Sequence, residues 1–261
     1  MSRHKPGRGI YLLPNLITAS SLLIGFFAAV RAFNGEFEVA AIALLVCVLL
    51  DSLDGNVARL TNTASRFGAE FDSLTDVVVF GCIPALIIYN WSLAAMAEFG
   101  WLWSKLGWLA AFFYTVATAL RLARFNSQIG SSEKSFFRGL PCPAAATLMM
   151  SLVWLSQQTG YSGADMAWWC FALMILAGAA MVSNFSYYSL KGVNLKSRVP
   201  FIALLAVVAG LILAAIDLPK FLFFIALLYL CSGPFLYLFR LARKNLPRRK
   251  RGADGDLPDR R

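Results

Sequence analysis

From Leu44 to Asp76 the chain reads LLVCVLLDSLDGNVARLTNTASRFGAEFDSLTD. An apolar run meets five acids, Asp51, Asp54, Glu70, Asp72 and Asp76, and apolar character resumes at once as VVVFGCIPALII. The two flanking segments, 37–60 and 67–91, are each near the ~20 residues needed to cross a bilayer. A carboxylate at a membrane helix centre costs roughly 2.5–3.5 kcal/mol on insertion. Nothing structural requires four aspartates in such a hairpin, so the default reading is a functional site.

Working outward, the same apolar pattern recurs. Spans are predicted at 11–33, 37–60, 67–91, 101–125, 139–158, 166–189, 199–216 and 219–242. The composition agrees: 59% of residues are hydrophobic and 15% charged, against about 45–50% and about 25% in soluble domains. Mean hydropathy is +0.64. The expectation is an all-α integral membrane protein of about eight transmembrane helices, with a catalytic domain at 1–242 and a basic tail at 243–261. No cleavable leader is expected, because the first apolar segment is long enough to span.

Charge sets the sidedness. On this map 21 of the 24 Lys and Arg fall on the side of the N-terminus, leaving Arg31, Lys105 and Lys220 on the other. The positive-inside rule then puts both termini in the cytoplasm. The formal charge of +10 needs no nucleic-acid partner, since the basic tail reads as an anchor on anionic lipid. Trp101, Trp103, Trp108, Trp168 and Trp169 read as interfacial anchors at the outer ends. The single histidine, His4, excludes a Ser-His-Asp triad or a His-ligated metal. Cys47, Cys82, Cys142, Cys170 and Cys231 form no CxxC pair and read as buried thiols.

Spacing sharpens the acidic stretch. Asp51, Asp54, Gly55 and Ala58 share one helix face, and Gly68, Asp72 and Asp76 share another. In an antiparallel hairpin the numbers of facing residues add to a constant. That pairs Asp51 with Asp76, Asp54 with Asp72, and Arg59 with Gly68. Four converging carboxylates repel unless cations neutralise them, and an all-oxygen donor set selects Mg²⁺, Mn²⁺ or Ca²⁺. Two such ions about 3.5–4 Å apart suit phosphoryl transfer. A cation-transport site or a proton relay also fits the carboxylates alone.

The pattern Asp51-x-x-Asp54-Gly55-x-x-Ala58-Arg59, eight residues, Gly68-x-x-x-Asp72-x-x-x-Asp76 resembles the CDP-alcohol phosphotransferase motif at every fixed position. Within that family the chain looks most like the membrane-spanning phosphatidylserine synthases. That branch is suggested by Pro14-Asn15-Leu16-Ile17-Thr18, Phe71-Asp72-Ser73-Leu74, Arg121-Leu122-Ala123-Arg124-Phe125-Asn126 and Gly139-Leu140-Pro141-Cys142-Pro143-Ala144.

The resemblance implies two Mg or Mn ions held by Asp51, Asp54, Asp72 and Asp76, with Asp76 as the base. It implies a homodimer in a bacterial cytoplasmic membrane, with CDP-diacylglycerol and L-serine as substrates and the active site facing the cytoplasm. Gly55, Ala58, Arg59 and Gly68 would line the CDP-lipid site, and Asn15 and Thr18 either join it or cap the first helix. Another acceptor, such as glycerol phosphate, inositol phosphate or choline, fits the same motif. Arg121 and Arg124, three apart on one face, are candidates for binding the serine carboxylate or else reach to head groups; Lys134 and Arg138 are further candidates. Glu70 lies off the Gly68 face and is expected not to be a ligand. Ser183, Asn184, Tyr187 and Tyr188 are expected on a helix, bonding to a neighbouring helix or forming an interfacial belt.

Overall fold

The computed structural model describes residues 12–60, 65–127, 136–188 and 201–245. Its helices are α1 (Leu12–Phe33), α2 (Phe37–Leu60), α3 (Arg66–Asp76), α4 (Ile83–Trp91), α5 (Trp101–Ser127), α6 (Cys142–Thr159), α7 (Ala167–Val182), α8 (Phe201–Ile216) and α9 (Leu218–Asn245). A π-helical turn, Val77–Cys82, joins α3 to α4 in one rod, and a 3₁₀ segment, Leu93–Phe99, precedes α5. The rods follow the eight expected apolar segments to within a few residues at most ends. Among the described residues four helices, Pro14–Phe33, Arg66–Trp91, Trp101–Ser127 and Leu218–Tyr237, are long and apolar enough to cross a membrane.

Small residues let the helices approach closely. Ala28, Ala32, Ala40, Ala41 and Leu44 are buried where α1 packs along α2, as expected where lipid gives no hydrophobic drive and close backbone contact must supply the attraction. Large apolar side chains point outward instead, among them Leu23, Phe26, Phe112, Leu211 and Leu228. This reversal of the soluble pattern fits a lipid surround.

Contacts between helix ends show the rods from α1 to α7 running alternately up and down. At one end, Asn90 donates to Ala32 O, Trp154 Nε1 to Glu38, and Ser92 Oγ to Gly163 O. Trp103 meets Trp168 there at 4.6 Å between ring centroids. At the other end lie the aspartates, together with the last turns of α5 and α7.

Two expectations are corrected. Residues 183–188 are not helical. α7 stops at Val182, and Ser186–Tyr188 form a short strand, β2, paired antiparallel with β1, Phe136–Arg138. The aspartate-bearing helices also do not pack as a tight hairpin. α2 packs chiefly on α1 and α6, whereas α3 packs on α1 and the π turn. Both helices pack on α1, and their acidic faces still meet at Asp51 and Asp76. The tail 246–261, the N-terminal residues with His4, and Lys134 lie outside the described residues, as do the side chains of Ala58, Arg59, Arg138 and Tyr188.

Candidate active site

Asp51 from α2 and Asp72 and Asp76 from α3 bring one carboxylate oxygen each within 4.8 Å of one another, all half-buried. Asp72 and Asp76 are one helical turn apart and share a face. At that separation and an effective dielectric of ~20, each ionised pair repels by at least about 3 kcal/mol. The cluster is therefore stable only with protons or cations between the oxygens. Its donors are hard oxygens, which fits Mg²⁺ or Mn²⁺.

Asp54 shares the Asp51 face but has another partner. It is 3% exposed and accepts a hydrogen bond from Thr18 Oγ1 at 2.9 Å. The same hydroxyl lies 3.1 Å from Pro14 O, so its one proton is shared between two acceptors. The sequence placed four carboxylates together; the structure gathers three and ties the fourth to α1. Thr18 thereby acts on an aspartate. Glu70 is exposed, outside the three-carboxylate group.

α3 begins where Ser65 caps it, the Ser65 hydroxyl accepting from Gly68 N at 3.0 Å. Asn15 lies directly over Gly68: a Cβ there would sit 3.0 Å from Asn15 Oδ1 and 3.1 Å from Ser65 Oγ. Gly68, which the sequence pairs with Arg59, is thus bordered by Asn15. Gly55 is exposed on the neighbouring helix face.

Beyond Asp76 the chain widens into the π turn, a form that recurs at functional sites. Ile83 N bonds Val78 O, five residues back, and Pro84 then has no amide to give. Phe80 O lies in this turn, where the change of register and the missing Pro84 amide leave too few helical donors. The buried Tyr114 hydroxyl on α5 donates to it at 3.1 Å. Asn126, at the end of α5, donates to Ser73 between Asp72 and Asp76 at 3.0 Å. These tertiary donors fix α3 where its aspartates meet Asp51.

The arginine pair separates. Arg124 spans the end of α7, with Nη1 donating to Val182 O at 3.0 Å and Nη2 to Ser183 O at 3.3 Å. It closes helix carbonyls that lack amide partners. Gly139, at φ 85°, fits only as glycine, because a Cβ would overlap Met181 O and press on Arg124. Arg121 is different. It is 8% exposed, Nη1 donates to Cys142 Sγ at 3.2 Å, and Nε is buried with no hydrogen-bond partner among the described residues.

The family model for CDP-alcohol phosphatidyltransferase matches residues 11–183. The chain belongs to the CDP-alcohol phosphatidyltransferase family. Among similar CDP-alcohol phosphatidyltransferases is a CDP-diacylglycerol–serine O-phosphatidyltransferase of Helicobacter pylori, 35% identical over 240 residues, covering 91% of this chain and 96% of the relative. One of the same name from Methanocaldococcus jannaschii is 32% identical over 231 residues, covering 88% and 96%. An archaetidylserine synthase of Methanothermobacter thermautotrophicus is 34% identical over 185 residues, covering 70% and 72%.

The family region ends at residue 183 and so contains all the motif aspartates, Asn15, Thr18, Arg121, Arg124 and Cys142, but not β2 or α9. Sequence reasoning missed the roles of Ser73, Asn126, Tyr114 and Cys142. Ser73, Asn126 and Cys142 lie inside stretches already singled out, but their partners are 53, 53 and 21 positions away. No local spacing reveals such pairs.

Proposed function

We propose that the protein transfers a phosphatidyl group from CDP-diacylglycerol to L-serine, giving phosphatidylserine and CMP. The observation that carries this reading is the meeting of Asp51, Asp72 and Asp76 within 4.8 Å at one end of an apolar helix bundle. The names of the relatives support serine as the acceptor.

Asp51, Asp72 and Asp76, with Asp54 beside them, would hold two Mg²⁺ or Mn²⁺ ions. Such ions, when bound, offset charge on the diphosphate and on the departing CMP. Gly55, Gly68 and Asn15, with Ala58 and Arg59 of the same motif, form the CDP-lipid side, and Thr18 steadies Asp54. Asp76 takes the proton from the serine hydroxyl. The serine oxygen bonds to the phosphorus that carries diacylglycerol, the bond from that phosphorus to the bridging oxygen breaks, and CMP leaves with the electron pair. Arg121 receives the serine carboxylate through its buried guanidinium.

The deciding assay follows CMP release from CDP-diacylglycerol with serine, glycerol phosphate, inositol phosphate or choline added in turn. Serine alone should stimulate release. Chelation should stop it, and added Mg²⁺ or Mn²⁺ should restore it. Stimulation by a different acceptor would replace serine in this scheme, and a protein that moves divalent cations without releasing CMP would overturn it.

We further propose that eight spans cross a bacterial cytoplasmic membrane as one catalytic domain at 1–242, with both termini and the aspartates inside. The 21-to-3 division of Lys and Arg supports this topology. Reporter fusions after Asn34, after Trp91 and at Gly160 should read outside, and a C-terminal fusion inside; an inside signal at Gly160 would break the map. Following the family, the enzyme assembles as a homodimer, and a monomeric mass for the detergent-solubilised protein would contradict that.

A further inference from the structure

The loop before α6 is held from several sides. Gly139, at φ 85°, lies close against Met181 O, its amide bonds Phe185 O at 2.9 Å, and Leu140 N bonds Ala180 O at 3.0 Å. Pro141 and Pro143 then fix the backbone on both sides of Cys142, the first residue of α6. The Cys142 side chain is fully buried, and its sulfur accepts from Arg121 Nη1 at 3.2 Å. Cys142 is therefore a rigid point, placed by its own loop and not by the arginine that reaches it.

Arg121 lies at the depth of the aspartates. α5 runs antiparallel to the rod of α3 and α4, and its contacts with that rod bracket Arg121. On one side Tyr114 bonds Phe80 O, and Thr118 lies over Gly81, where a Cβ would stand 3.1 Å from its side chain. On the other side Asn126 bonds Ser73. Arg121, two turns after Tyr114 on the same face of α5, thus falls level with Asp76. Among the described residues no carboxylate pairs with it. Nη1 goes to a neutral sulfur, a weak acceptor, and Nε is buried with no hydrogen-bond partner. A buried guanidinium without a counter-charge is costly, and an anion at the Nε edge would remove that cost. A carboxylate at position 142 would have neutralised Arg121 and competed with such an anion. The thiol restrains the guanidinium and leaves its charge unspent.

We propose that Cys142 is a positioning residue for the acceptor: its neutral sulfur anchors Nη1 of Arg121, so that the Nε edge of the guanidinium is presented to the acceptor carboxylate at the level of Asp76. This rests on the reading that Arg121 receives that carboxylate. The arrangement selects an amino acid over an amino alcohol of the same length, because a molecule without a carboxylate gains nothing from the buried charge.

The test compares the full-length protein with Cys142→Ala, Cys142→Ser, Arg121→Ala and the Cys142→Ala, Arg121→Ala double variant in detergent micelles containing CDP-diacylglycerol. Cys142→Ala removes the acceptor atom. It should raise the apparent KM for serine about three- to tenfold, the range for one buried hydrogen bond, with kcat and the KM for CDP-diacylglycerol unchanged. Cys142→Ser puts an acceptor back in nearly the same place and should return the serine KM to within about twofold of the unsubstituted protein. Adding Cys142→Ala to Arg121→Ala should change the serine KM by less than about twofold, since the group it positions is gone. Full additivity would overturn the positioning role, as would a lowered thermal midpoint with an unmoved serine KM. An equal rise in Cys142→Ser and Cys142→Ala would assign the effect to packing and overturn it too. If Cys142→Ala fails to accumulate, Cys142→Val, which fills the site and offers no acceptor, is held to the same criteria, and failure of both overturns the proposal. Arg121→Ala alone separates the two readings. An unchanged serine KM in that variant sinks the acceptor assignment, whereas the coupling of Cys142 to Arg121 in thermal midpoint stands or falls by itself.

Discussion

Two polar regions meet at the same end of the bundle, one acidic and one basic, and they are built in opposite ways. The acidic region draws on α2 and α3, with Asp51, Asp72 and Asp76 all within 26 residues of sequence. The basic region draws on α5, α6 and the end of α7, joining Arg121 to Cys142 and Arg124 to Val182. In the first, helical periodicity alone decides which side chains share a face. In the second, each partner is set by how separate elements pack. The difference teaches where a local pattern is sufficient and where only the tertiary structure assigns a role.

The sharpest way to break the acidic half is Asp76→Asn, which keeps volume and removes the base. A general base typically contributes 10²–10⁴-fold, so turnover should fall by about that factor at saturating metal. CMP release measured across a metal titration checks this. Retention of half the wild-type rate would show that the proton leaves by another route.

The basic half is sharpened by treating its two arginines separately. Arg121→Ala should raise the serine KM far more than that for CDP-diacylglycerol. Losing a charge-assisted bond of about 1.5–3 kcal/mol lowers kcat/KM for serine roughly 10- to 150-fold. Arg121→Lys should rescue only partly, because a point charge lacks the guanidinium fork. Arg124→Ala should behave otherwise, lowering the thermal midpoint by releasing the α7 carbonyls while leaving the two KM values in their original ratio. Should Arg124→Ala shift serine selectively and Arg121→Ala not, the assignments exchange.

These contrasts explain what was legible in the sequence. Rods were readable because apolar run length sets them, and the aspartate faces because a turn of 3.6 residues does. Asp54 was placed with the other three on correct periodicity, but Thr18, 36 positions earlier, bonds it. Residues 183–188 were expected to continue a helix because the apolar run was read through to 189. What stops α7 is long-range: Arg124 closes its carbonyls, and Leu140 N and Gly139 N bond Ala180 O and Phe185 O. The same holds for Tyr114, which donates to Phe80 O, and for Tyr187, which donates to Leu230 O four residues before Pro234. A proline announces a missing donor in the sequence, but not which distant hydroxyl replaces it.

The smallest expected effect lies where the acidic region touches α1, and its sign is the informative part. Gly68 is the third residue of α3, with its amide held by Ser65 Oγ at 3.0 Å. Replacing it with alanine favours the helix by up to about 1 kcal/mol on intrinsic propensity. Against that, the new methyl would stand 3.0 Å from Asn15 Oδ1 and 3.1 Å from Ser65 Oγ. Both neighbours are side-chain ends that can move a few tenths of an ångström, so the fold should tolerate Gly68→Ala with a nearly unchanged thermal midpoint. If Asn15 helps to bind the nucleotide, its displacement should raise the KM for CDP-diacylglycerol about two- to fivefold, on the scale of one weakened hydrogen bond. Asn15→Ala should then cost a similar amount, and Gly68→Ala added to it should cost almost nothing more, since the atom it displaces is gone. A Gly68→Ala protein with unchanged kinetics but a higher midpoint would mean that helix propensity prevails and that Asn15 packs against α3 without touching substrate.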